Sequence, residues 1–142
     1  MKRMVFLLAA LLLIASWAQA ESVIGKWKQV DDETGDTESV IEIYEQNGKI
    51  YGKIVKLFRG PDEDPNPVCD KCTDDRQDQP LLGMEIIRGL QKDGDVYEAD
   101  KGILDPKKGK SYDCKIWLED TNTLKVRGSI AFFYRTQTWY RQ

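Results

Sequence analysis

Residues 111–130 read SYDCKIWLEDTNTLKVRGSI. Tyr112, Cys114, Ile116 and Leu118 fall on one side of an extended chain, and Asp113, Lys115, Trp117 and Glu119 on the other, the period of two expected of a half-buried strand. Asp120–Asn122 supplies a tight turn. Thr123–Ile130 then resumes the alternation, with Leu124, Val126, Gly128 and Ile130 set against Lys125, Arg127 and Ser129. The stretch reads as a hairpin with one apolar face, and that face needs a core to cover it.

The same pattern extends both ways from this hairpin. Upstream lie the segments 24–30, 39–45, 49–58, 84–91 and 95–101, and downstream 133–142 closes the series, eight strands in all. Asn47-Gly48 and Asp93-Gly94 are strong two-residue turn signals, because both residue types tolerate positive φ. Gly52 marks a bend or bulge of the kind that curves a sheet. Tight turns alternate with longer connections at 31–38, 59–80 and 101–110 and a short link near 129–132. In a ring of antiparallel strands that alternation gathers the tight turns at one end and the loops at the other. The expectation is all-β, an eight-stranded antiparallel up-and-down barrel with a closed floor and a loop-lined mouth. No helical periodicity of comparable strength occurs, and the regular hairpins need no Greek-key crossing of the kind a sandwich uses.

Residues 1–20 stand apart. Lys2 and Arg3 precede an uncharged stretch from Met4 to Trp17, then Ala18-Gln19-Ala20, a small-x-small cleavage pattern. A run of about fourteen residues is short of the roughly twenty that span a bilayer. The reading is a secretory signal peptide over 1–20 and one barrel domain over 21–142, located in the periplasm or secreted and not membrane-spanning. No cysteine adjoins the cleavage site, which excludes a lipidated N-terminus. Without those twenty residues the chain holds 19 Lys+Arg against 24 Asp+Glu, a net charge of −5. That balance argues against nucleic acid as a partner.

Gly25-x-Trp27 on the first strand is similar to the G-x-W signature of lipocalins, in which the tryptophan seals the barrel floor under an arginine from the last strand. An even-stranded barrel brings that strand's start beside the chain's end, so Trp139 and Arg141 join Gly25 and Trp27 as the expected floor, with Arg141 and Trp27 as a cation–π pair. A tryptophan that simply fills core is the competing reading. A wider set of segments resembles the secreted bacterial family called domain of unknown function 2147: VIGKW, GKIYGKI, DPNPVCDKC, PLLG, ILDP, LKVRG and RTQTW. The resemblance implies a lipocalin-like barrel exported from the cytoplasm, and it implies no catalytic residues.

The sequence contains no histidine, which removes the commonest general base and the usual zinc ligand. Its acids are spread through loops as solvated charge. No phosphate-cradling glycine loop occurs. The expectation is a binding protein, not an enzyme, with no cofactor and no metal. Its ligand is a small, largely apolar molecule, with Ile41, Ile43, Tyr112, Ile116, Leu118, Leu124 and Val126 as candidate lining, for each of which plain core is the competing reading. Arg127 and Arg135 are further candidates, since an inward arginine requires an anionic partner, with an outward, solvated side chain as the default for both. Two alternatives stand beside it: an envelope structural or interaction module with a filled barrel, and a thiol-redox protein using Cys69-x-x-Cys72. The many acids around that motif oppose the thiolate a redox centre needs. A structural disulfide is expected instead, from Cys114 to Cys69 or Cys72, because a loop of more than forty residues is worth roughly 4 kcal/mol in the chain-entropy model.

Charge at the mouth sets the last expectation. Residues 31–38 carry five acids and no base, 59–80 carry seven acids against three bases, and 101–110 carry four lysines and one aspartate, a sum of −6. Neutral or cationic apolar molecules, or an envelope protein with a basic surface, are favoured over anions. N-terminal sequencing of exported protein is expected to begin at Glu21; material that still begins at Met1 would contradict the leader reading.

Overall fold

The computed structural model describes residues 22–142; the leader over 1–20 and the cleavage point lie outside the described residues. Eight strands follow one another: β1 Gly25–Val30, β2 Thr37–Gln46, β3 Lys49–Leu57, β4 Glu85–Asp93, β5 Val96–Asp105, β6 Lys110–Asp120, β7 Thr123–Ile130 and β8 Phe133–Arg141. Each pairs antiparallel with the next, and β1 pairs with β8, so the sheet closes into a barrel in sequence order. The turns at 47–48, 94–95 and 121–122 share one end with both ends of the described chain. The connections 31–36, 58–84, 106–109 and 131–132 share the other.

Closure rests on a short seam. Only Trp27↔Arg141, Lys28↔Tyr140 and Gln29↔Trp139 pair across β1 and β8. Trp27 is wholly buried, and its indole N–H donates to the Val23 carbonyl at 2.9 Å. The Arg141 guanidinium lies 4.2 Å from the centre of the Trp27 ring. It also donates to the carbonyls of Thr121, Ile24 and Ser22 at 2.8, 3.1 and 2.7 Å. Gly25 makes this possible: its φ is +138°, and a Cβ there would stand 2.8 Å from Arg141 Nη1.

Above this floor the barrel is filled. Ile41, Ile43, Ile87, Leu90, Ile116, Leu124, Val126 and Trp139 are buried together. Gly52 faces inward, where a Cβ would come within 3.1 to 3.3 Å of Ile87 and Ile41, so even a methyl group there would press its neighbours aside. The β3–β4 pairing shifts register on both sides of Gly52, the local irregularity that a curved wall requires.

β5 runs on to Asp105, past the end at Lys101 that the sequence suggests. Lys101 sits in an irregularity between Ala99 and Ile103 with φ of +53°, its N–H bonded to the Asp113 carboxylate at 2.9 Å. That bulge breaks the alternation and so hides the rest of the strand.

The 58–84 connection crosses the outside of the wall. Leu104 opposes Ser111 in the register, on the side away from inward Tyr112, yet it is buried, as is Ile86 beside inward Ile87. The loop covers this outer face with Cys69 and Cys72, both 1% exposed. Those two form the disulfide, with Cα atoms 5.4 Å apart, and Cys114 is free. The expected bridge to Cys114 is therefore corrected. Cys114 shares the inward face with Ile116, so the sheet itself separates its sulfur from the loop, and loop-closure entropy is irrelevant where the geometry forbids the bond. The loop seats on the β5–β6 turn, where Gly109 has φ of +65° and a Cβ would overlap the Lys71 carbonyl.

Burial pushes the Cys114 thiol up to about 12. A non-reducing peptide map is expected to recover Cys69 joined to Cys72. Cys114 is expected to resist alkylation at neutral pH until denaturant is added; rapid labelling of the native protein would contradict this packing.

Candidate mouth site

Most of the candidate lining residues lie too deep to meet solvent. Ile41, Ile43, Ile116, Leu124 and Val126 are 0 to 2% exposed and pack on one another. Leu118 is half-buried beside Leu124 at the floor end. Tyr112 alone of that set stands toward the mouth and is half-exposed.

The two arginines have protein partners. Arg127 points outward: Nε donates to Thr136 Oγ1 at 2.9 Å, and the guanidinium lies between the rings of Trp117 and Tyr134, at 5.1 and 4.4 Å. It belongs to the outer wall and not to the barrel interior. Arg135 has the inward parity of Gln137 and Trp139 but sits exposed at the rim, 2.9 Å from Asp32 of the 31–36 loop. That carboxylate raises the Arg135 pKa. It is the partner an inward arginine requires.

Between the rim and the filled lower barrel lies a polar layer that the hydrophobic pattern does not reveal. Ser39 Oγ lies 2.6 Å from Gln29 Oε1, and the Trp139 indole donates to Gln137 Oε1 at 3.2 Å. Gln29 and Gln137 are half-exposed, as are Ile103, Tyr112 and Gly128 across from them. Gly128 is the small residue of this ring; a Cβ there would meet only ordinary contacts with Tyr112 and Ile103 at 3.5 to 3.9 Å. The signal for this layer is positional: Gln29 and Gln137 each lie two residues from a buried tryptophan, on the same face.

At the rim itself, an open cleft of about 380 Å³ runs between the 58–84 loop and the β5–β6 and β7–β8 hairpins, lined by Asp74, Lys101, Leu104, Lys110, Tyr112 and Ile130 among others. A wider groove on the outer wall, about 660 Å³, has charged sides that include Glu98, Asp100, Asp113 and Lys115.

The cleft's loop side is held by Arg76, another residue without a signal in the hydrophobic pattern. Only 7% exposed, it donates to the Glu85 carbonyl at 2.8 Å and to Asp74 Oδ2 at 2.6 Å, and it reaches Ser111 Oγ at 3.4 Å. Arg88 pairs with Asp75 at 2.8 Å in parallel. These bonds hold two of the seven acids of 59–80, Asp74 and Asp75, against arginines; at the barrel opening lie the four acids of 31–36, with Asp32 paired to Arg135. Among the described residues no group of three or more His, Cys, Asp or Glu is placed to hold a metal ion, and no helix is long and apolar enough to cross a membrane.

Residues 25–141 match the family described as "Uncharacterized protein conserved in bacteria (DUF2147)". Among solved structures, a protein from the human pathogen Helicobacter pylori, described as belonging to the lipocalin family, superposes with a TM-score of 0.70 at 18% sequence identity. The match covers 85% of this chain and 83% of that one. At that identity the likeness is one of fold. No curated protein matches.

The Arg76 guanidinium holds the Asp74 carboxyl down, to about 2 from an ordinary 3.8. A depressed carboxyl contributes stability above its unfolded value that is lost as pH falls through the folded one. Acid titration of unfolding stability is expected to show a decline between 3.8 and about 2 that is absent from Asp74→Asn; identical acid limbs would contradict the pairing.

Proposed function

The chain belongs to the DUF2147 family of bacterial proteins, and from that footing we propose that it is an exported, non-enzymatic binding protein that receives a small molecule at the mouth of its lipocalin-like barrel. One observation carries the reading. Toward the mouth, inward positions on five strands, Gln29, Ile103, Tyr112, Gly128 and Gln137, are half-exposed, whereas Ile41, Ile43, Ile116, Leu124 and Val126 beneath them are shut. A ligand there rests its apolar part on Ile103 and the Tyr112 ring, and turns polar atoms toward the two glutamine amides, the arrangement usual in small-molecule sites. Ile41, Ile43, Ile116, Leu124 and Val126 then act as the packed bed beneath the ligand. The filled lower barrel limits the ligand to a small one.

The acids of 31–36 favour neutral or cationic ligands, and the pairing of Asp32 with Arg135 makes that preference modest. Export to the periplasm or beyond follows from the leader pattern. A buried Cys69–Cys72 bridge speaks against thiol-redox chemistry, because exchange requires a thiolate to reach one of the sulfurs.

Native mass spectrometry of protein purified from its own host is expected to show a retained small molecule that organic extraction releases. Gly128→Leu is expected to fill the mouth and abolish that retention, at a stability cost of about 1–3 kcal/mol. A host-purified wild type that never carries a ligand, or a Gly128→Leu protein that keeps it, would contradict the proposal. In a displacement series of neutral, cationic and carboxylate probes of equal chain length, the carboxylate is expected to bind most weakly at low salt.

A further inference from the structure

The β7–β8 hairpin ends in Ile130-Ala-Phe-Phe-Tyr134, and its tip is uncovered. Phe132 is 97% exposed, Phe133 78%, Tyr134 66% and Ile130 49%. Ala131 holds a φ of +52° at the turn. Scattered surface hydrophobics need no explanation, but two adjacent phenylalanines at the outermost point of a hairpin, with Ile130 paired to Phe133 and Tyr134 next on the outward face, make an apolar projection. A closed barrel has no free edge for strand addition. Contact through this tip is therefore side chain to side chain.

The order of charges around the rim says what covers it. The closed strand order puts the β7–β8 tip between the β5–β6 turn on one side and the β1–β2 loop on the other. Both neighbours are confirmed by contacts: Ile130 shares a cleft with Lys101 and Lys110, and Arg135 is bonded to Asp32. On the first side Lys108 and Lys110 are exposed, while Lys107 pairs with Glu38 within the chain; on the second, Glu33 and Asp36 are exposed. The rim thus reads basic, apolar, acidic in order.

We propose that the tip is the centre of a two-fold interface with a second copy of this chain. An axis running radially through the tip brings two barrels mouth to mouth and reverses the order around the rim. Each lysine turn then faces the other copy's acidic loop while the phenylalanines pack against one another. A patch that is self-complementary in this sense is what an isologous dimer requires. A fully covered aromatic side chain accounts for 150–250 Å², so the exposed parts of these four residues amount to roughly 500 Å² per copy. A standard interface takes about 800 Å² per partner. The flanking loops supply the remainder, and the dimer is reversible. An anionic bilayer, the other surface that apolar tips enter, meets the acids of 31–36 unfavourably.

Sedimentation equilibrium of protein purified from expression of the full chain is expected to show a concentration-dependent dimer. Replacing both phenylalanines (Phe132→Ser with Phe133→Ser) is expected to raise its dissociation constant more than about a hundredfold, with an unchanged melting temperature because the residues are exposed. Glu33→Lys with Asp36→Lys is expected to weaken it about tenfold. Adding Lys108→Glu and Lys110→Glu to that variant is expected to restore the dimer, since the swapped rim is again self-complementary. A monomer at every concentration, a dimer indifferent to the serine substitutions, or a charge swap without recovery would overturn the proposal. So would a monomer that binds phosphatidylglycerol vesicles through the tip.

Discussion

The Arg141 side chain ties the last strand of the barrel to the first. It reaches from the last strand across the ring of Trp27 on the first, and its five N–H donors meet three carbonyls from the N-terminal approach and the β6–β7 turn. The seam it fastens is only three residue pairs long. A planar, permanently charged group suits this position, because it stacks on the indole and satisfies main-chain acceptors at the same time. The glycine two residues before Trp27 belongs to the same device, since any Cβ would displace the guanidinium.

With the floor sealed, the interior has no outlet past Trp27. Large aliphatic side chains fill it, and Gly52 shows how little room is left. All exchange with solvent is pushed to the other end, where the interior side chains turn polar and half-exposed. The 58–84 connection, long enough to form a lid, is instead bound along the outer wall by Arg76 and Arg88, with its own disulfide buried against that wall. The proposed ligand site at the mouth is therefore built from the interior side chains of the strands and not from this connection.

Strand order, turn positions and the Gly25–Trp27–Arg141 relation were legible in the sequence because period-two alternation, Asn-Gly and Asp-Gly turns, and closure of an even-stranded ring are local or topological facts. What was not legible required knowing which side of a wall a loop takes. Leu104 sits on the outward side of its strand and is buried only because the loop covers it. Once that is unknown, the cysteine pairing cannot be chosen, and an entropy argument points to the wrong bond. The mouth residues were missed for a different reason: Gln29 and Gln137 occupy inward positions, but a search for apolar lining passes over amides. Arg127, by contrast, stands on the face that its alternation with Leu124 and Val126 assigns to it.

The most direct test of the account is to map, by amide chemical shifts, where small molecules from a host extract contact the protein. The account predicts perturbations at Gln29, Ile103, Tyr112, Gly128 and Gln137, with the amides of Ile43, Ile116 and Leu124 unmoved. Shifts centred on that lower set would mean that the barrel opens to admit a ligand to its core, and would contradict it.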